Sequence, residues 1–132
     1  MRVAGIMSGT SLDGVDVAVL DIRGRQFEVV CFRTFPYPKS VREGLLGVSN
    51  TETHTAQIAR LNFELPEVYA RAVKNCGIKP ETIELIGCHG QTIFHGRNTT
   101  LQIGDGSVLA EVFAPLALKP GVSFEPNGRA LR

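Results

Sequence analysis

The stretch Gly5-Ile6-Met7-Ser8-Gly9-Thr10-Ser11-Leu12-Asp13-Gly14-Val15-Asp16-Val17 constrains this chain more than any other. An apolar run stops in glycines, hydroxyls and an acid, and alternating apolar residues then resume. The pattern predicts a strand, a tight polar turn and a second strand. Ordering residues this small costs entropy and returns little packing. Such a turn suits a bound group, and its backbone N–H groups and hydroxyls suit a phosphate.

The next segments of the chain decide the kind of turn. Residues 15–22 read as the second strand, Arg23-Gly24-Arg25 as a hairpin turn, and residues 27–32 as a third strand. Three strands joined this tightly are antiparallel neighbours. The polar turn is therefore a hairpin turn between strands, and it lacks the lysine of a Walker site. Without that cation, backbone N–H groups and the hydroxyls of Ser8, Thr10 and Ser11 have to hold a phosphate. Asp13 and Asp16 would repel it unless a Mg²⁺ held through water lay between. The alternative is a plain tight turn with a capping aspartate.

Pro36-Tyr37-Pro38 ends the third strand. Ser40 is the expected cap of a short helix over residues 41–46, with Glu43 completing a capping box. A longer helix is expected from about Thr55 to Asn75, with Ile58, Leu61, Leu65, Val68 and Ala72 on one face. Its charged residues make a solvated face, Pro66 should kink or split it, and Gly77 stops it. Residues 83–88 read as a strand, and strand–helix–strand implies a crossover to a parallel neighbour. That strand is expected to end in the polar cluster His89-Gly90-Gln91-Thr92. A short strand over 100–103 then leads to Gly104-Asp105-Gly106-Ser107, where Asp105 and Ser107 cap a helix beginning at Val108. From Pro115 the periodicity dissolves.

Several function classes fall away on composition. A formal charge of +1 over 132 residues offers no basic excess for nucleic acid or a membrane surface. No apolar run approaches the roughly 20 residues of a membrane span, and Ser8-Gly9 breaks any signal-like start, so a cytoplasmic location is expected. Cys31, Cys76 and Cys88 are widely spaced and read as reduced thiols. His89 could contact a polar substrate or move a proton, or serve only the structure. His89 and His95 lack a third metal ligand. Gln91, Thr92 and Gln102 are neutral groups of the kind that read sugar hydroxyls, or solvated loop residues.

Three segments, residues 5–16, Ile86-Gly87-Cys88-His89-Gly90-Gln91-Thr92 and Leu101-Gln102-Ile103-Gly104-Asp105, resemble the anhydro-N-acetylmuramic acid kinases in motif and order. The resemblance spans residue 2 to about 111. It implies an α/β fold of the ribonuclease-H-like, actin-like ATPase type, here an incomplete lobe with an antiparallel three-stranded start and a parallel crossover strand. It implies ATP and Mg²⁺, with hydrolytic opening of the 1,6-anhydro ring and phosphorylation to N-acetylmuramic acid 6-phosphate in cell-wall recycling. By the same resemblance Gly9, Thr10, Ser11, Leu12, Asp13, Gly14, Val15 and Asp16 form the ATP phosphate segment, and Asp13 serves the metal through water. His89, Gln91 and Thr92 fall on the sugar side, and a homodimer is the partner arrangement it suggests.

After Glu111 the sequence departs from the family pattern, with Val112-Phe113-Ala114-Pro115 replacing an Arg-Thr-Gly segment. Residues 1–111 are thus expected to form the lobe, and 112–132 a divergent tail of loop or disorder. The family's Asp-Thr-Gly-Pro motif, with the expected base, is absent, so no catalytic base is expected within these residues. The expectation is a truncated or frameshifted kinase or a fragment, inactive alone. The alternatives are a non-catalytic sugar- or nucleotide-binding module, or an inert remnant.

Overall fold

A computed structural model describes residues 1–113, 123–124 and 130–131. β1 (Arg2–Ser8), β2 (Gly14–Arg23) and β3 (Gln26–Pro36) form an antiparallel meander. α1 (Lys39–Leu46), α2 (Thr55–Lys74) and one 3₁₀ turn (Pro80–Thr82) lead to β4 (Leu85–His95), which pairs parallel to β1 as the crossover rule predicts. β5 (Thr100–Ile103) pairs antiparallel to β4, giving a five-stranded sheet in the order β3-β2-β1-β4-β5. α3 (Gly106–Phe113) comes next. β6 (Ser123–Phe124) and β7 (Ala130–Leu131) form a separate antiparallel pair. Val112 and Phe113 complete α3, and most of the expected tail lies outside the described residues.

Alternation along the strands gives the sheet two unlike faces. Ala4, Ile6, Val15, Val17 and Val19 are buried on one face with Leu61, Leu65, Tyr69 and Val73 of α2. The register places Ala18, Leu20 and Ile22 of β2 beside Phe32, Val29 and Phe27 of β3 on the other face. There Phe27, Phe32, Met7 and Val29 are 69%, 65%, 56% and 54% exposed. Among the described residues that apolar face is left open. No helix among them is long and apolar enough to cross a membrane.

Four local expectations need correction. α1 starts at Lys39 with Pro38 in extended geometry at its N-cap, and no side chain caps it, so Ser40 lies inside the first turn. β3 continues to Pro36, which an edge strand tolerates because its N–H side needs no partner. α3 begins at Gly106, two residues before Val108, although Asp105 does cap it: its Oδ1 accepts from the Ser107 and Val108 amides at 2.8 and 3.4 Å.

Pro66 does not split α2, which runs unbroken across it. A proline leaves the carbonyl four residues earlier without its helical donor. That carbonyl belongs to Asn62, and the Asp105 amide donates to it at 2.9 Å. The Asn62 side chain accepts from the Gly104 amide at 2.8 Å as well. The gap opened by the proline is where the turn after β5 docks.

Candidate functional site

The polar turn joins β1 to β2 at the carboxyl end of β1. The Leu12 amide closes it on the Gly9 carbonyl at 3.2 Å. Leu12 adopts a left-handed φ of 53° and buries its side chain to 4% exposure. A leucine rarely accepts that conformation, and here core burial offsets its cost. Thr10, Ser11 and Asp13 point to solvent. Leu12 and Val15 can offer a ligand only backbone, since their side chains are buried.

Ser11 donates to Asp13 Oδ1 at 2.7 Å. That hydroxyl, then the Asp13 and Gly14 amides, hold the Asp13 carboxyl below the usual carboxylate range, with the charge of Arg42 adding to them. Asp13 is therefore an exposed anion at neutral pH. Asp16 sits half-buried on β2, its Oδ1 taking a 2.6 Å hydrogen bond from the Thr34 hydroxyl. Among the described residues no group of three His, Cys, Asp or Glu could hold a metal on its own.

Arg42 on α1 donates from Nε to the Leu12 carbonyl at 3.0 Å. The turn, cationless in its own sequence, thus receives a guanidinium from thirty residues away. No local signal marks Arg42, because only the packing of α1 brings it there.

The second motif lies within a strand instead of ending one. β4 passes straight through His89-Gly90-Gln91-Thr92, correcting the expectation of a strand end. Between Ile6 and Ser8 the β1–β4 register slips, with Ile6 opposite Cys88 and Ser8 opposite Gln91. This one-residue bulge on β4 exchanges the faces, so Ile86 and Cys88 share a side with Gln91 and Ile93. Gly90 sits in the bulge at φ +76°, and a Cβ there would stand 2.7 Å from the Ile103 carbonyl oxygen.

The three residues expected on the sugar side are consequently separated. His89 is exposed, with Nδ1 3.1 Å from the Gly90 carbonyl oxygen. Thr92 is half-buried, and its hydroxyl accepts a long 3.4 Å contact from Gln102 Nε2. Gln91 has no exposure at all. It donates to the Gly9 and Thr92 carbonyls at 2.9 and 3.0 Å and accepts from the Tyr37 hydroxyl at 2.9 Å. Every polar atom of Gln91 is occupied inside the protein.

Beside it, Ser8 donates to the Gly90 carbonyl at 3.1 Å and lies 3.0 Å from the Tyr69 hydroxyl. Burial pushes the pKa of both the Tyr37 and Tyr69 hydroxyls up, so both stay protonated donors. Among the described residues no buried side-chain polar atom lacks a partner. The cysteines are free, and burial raises the Cys31 and Cys88 thiols.

The profile of the anhydro-N-acetylmuramic acid kinases matches residues 1–114. This chain belongs to that family. An anhydro-N-acetylmuramic acid kinase of Caldanaerobacter subterraneus subsp. tengcongensis is 39% identical over 128 aligned residues, which cover 83% of this chain and 32% of the relative. One of Nitrosomonas europaea is 40% identical over 123 residues, covering 85% and 33%. One of Bacillus cereus is 39% identical over 126 residues, covering 83% and 33%. The chain spans about a third of the length of the curated anhydro-N-acetylmuramic acid kinases it matches.

Proposed function

We propose that residues 1–113 supply the phosphate-binding half of an anhydro-N-acetylmuramic acid kinase, an ATP-dependent phosphotransferase acting on a 1,6-anhydro amino sugar. Support comes from the family membership and from one observation: a left-handed turn closed at Leu12, presenting Thr10, Ser11 and Asp13 to solvent with Arg42 alongside. The meander with its parallel crossover strand favours the ribonuclease-H-like, actin-like lobe within the α/β class.

In this reading the backbone N–H groups of Gly9, Thr10 and Ser11, with the Thr10 and Ser11 hydroxyls, orient the terminal phosphates, while the Leu12 N–H closes the turn on Gly9 and the Asp13 and Gly14 amides hold the Asp13 carboxylate. Asp13, ionised and exposed, would hold Mg²⁺ through water, which fits its acceptor-only chemistry. The metal, when bound, neutralises charge on the phosphates. Arg42 fixes the Leu12 carbonyl and adds a second positive charge beside the turn. His89 and Thr92, on the strand next to the turn, are the groups offered to the sugar. Ring opening needs a base for water, and among the described residues no carboxylate is hydrogen-bonded to the His89 or Thr92 side chain. A polypeptide of these 132 residues alone should therefore bind and scarcely turn over.

Calorimetric titration of the purified chain with Mg-ATP tests the reading. Heat that disappears in Asp13→Asn and in Thr10→Val/Ser11→Ala supports it. Absence of any nucleotide binding by the wild-type chain refutes it, and rapid phosphorylation of the anhydro sugar by the isolated chain refutes the claim of dependence on further sequence.

A further inference from the structure

We propose that Gln91 and Tyr37 form a buried brace that positions the phosphate turn, so that nucleotide affinity depends on side chains no ligand touches. Its functional half rests on the nucleotide-binding role proposed for the turn. Its structural half stands on the geometry.

The Gly9 carbonyl is the hinge of the turn. It accepts from Leu12 within the turn and from Gln91 Nε2 across the β1–β4 pair. The second N–H of the same amide goes to Thr92, which fixes the plane of the carboxamide. Tyr37 then holds Oε1 and prevents the amide from flipping. A flipped amide would set oxygen against the Gly9 oxygen, two acceptors in contact, and push the turn outward. Because Gln91 and Tyr37 are 0% and 7% exposed, water does not compete for these bonds. The bulge at Gly90 is what turns Gln91 inward, and Ser8 ties the bulge back to Tyr69 on α2. Gln91 is thus a positioning residue that acts through Gly9.

The test separates positioning from stability. Gln91→Met keeps the shape of the side chain and removes all three bonds, leaving the buried Tyr37 hydroxyl without its Gln91 acceptor, beside Ser8 and Tyr69. Adding Tyr37→Phe removes that hydroxyl, and replacing both partners of a hydrogen bond by apolar groups of similar shape is close to neutral for stability. Three measurements are made on the full chain: melting temperature, hydrogen exchange at the Leu12 amide by NMR, and Mg-ATP affinity. The expected results are a lower melting temperature in Gln91→Met and its partial recovery in the double variant, where the Gly9 and Thr92 carbonyls still lack their Gln91 donor. Leu12 exchange stays about three- to tenfold faster in both, the worth of one neutral hydrogen bond, with core amides such as Val17 unchanged in the double variant. Nucleotide affinity weakens in parallel in both. Leu12 exchange that recovers with the melting temperature, or that never rises, overturns the brace. If the wild-type chain binds no nucleotide, the functional half fails while Leu12 exchange still decides the structural half.

Discussion

Replacing Gly90 with alanine puts the bulge at the centre of the site under direct load. Two costs add. The residue holds φ +76°, and a side chain in left-handed backbone costs about 1–2 kcal/mol. Its Cβ would also stand 2.7 Å from the Ile103 carbonyl oxygen, which is backbone of the paired strand and cannot rotate away. Relieving such an overlap shifts β5 and costs about 1–3 kcal/mol more. The sum, about 2–5 kcal/mol, is a large share of the roughly 5–15 kcal/mol that stabilises a domain. At about 4 °C per kcal/mol for a chain of this size, the melting temperature should fall by about 8–20 °C. Gly24→Ala is the control, since its φ is +62° and nothing lies within 4 Å of the added carbon. It carries the backbone cost alone. Thermal unfolding followed by circular dichroism compares the two. If Gly90→Ala is no more destabilising than Gly24→Ala, β5 does not press on the bulge and the account of how Gln91 is aimed is wrong.

Other perturbations have equally definite outcomes. Asn62→Ala removes the acceptor of the Gly104 amide and should cost about 1 kcal/mol, with faster hydrogen exchange at Gly104 while the centre of α2 stays protected. Asp105→Ala should cost about 1 kcal/mol at neutral pH, measured as a shift in unfolding midpoint, because it removes the cap of α3. The Ser107 hydroxyl and then the backbone amides hold the Asp105 carboxyl low, so its contribution is complete above about pH 4. It fades as pH falls through the depressed folded value, and wild type and Asp105→Ala should converge in acid. The open sheet face should bind a hydrophobic fluorescent dye in the folded chain, and Phe27→Ser/Phe32→Ser should reduce that signal without lowering the melting temperature. Undiminished dye binding would place the apolar patch elsewhere.

The meander was readable because alternation along residues 15–22 and 27–32 has a period of two and tight turns leave no other pairing. The parallel β4 was readable because a helix of α2's length between strands forces a crossover. The bulge was not readable. Nothing in His89-Gly90-Gln91-Thr92 distinguishes a strand that ends from one that slips by a residue, since the slip is dictated by Ser8 and Ile103 on its two neighbours. For the same reason Gln91 looked like a group offered to a sugar, whereas the slip turns it into the core. Arg42 and Tyr69 were hidden by distance along the chain. The helical spacing of α2 marked its apolar face, yet Tyr69 became visible as a polar partner only once Ser8 was opposite it. Pro66 signalled a broken helix, and the structure answers with a donor from β5's turn that no local rule could foresee.

Residues 62 and 69 of α2 lie seven apart, close to two full turns, so they share one face of the helix. Asn62 grips the turn after β5 and Tyr69 reaches Ser8 at the end of β1. The ring of Tyr69 also lies against Gly104, 2.9 Å from where a Cβ would stand there, so one helix face carries both the end of β1 and the turn after β5. One residue added between 62 and 69 would rotate one contact about 100° away from the other, and the two turns would lose their common datum.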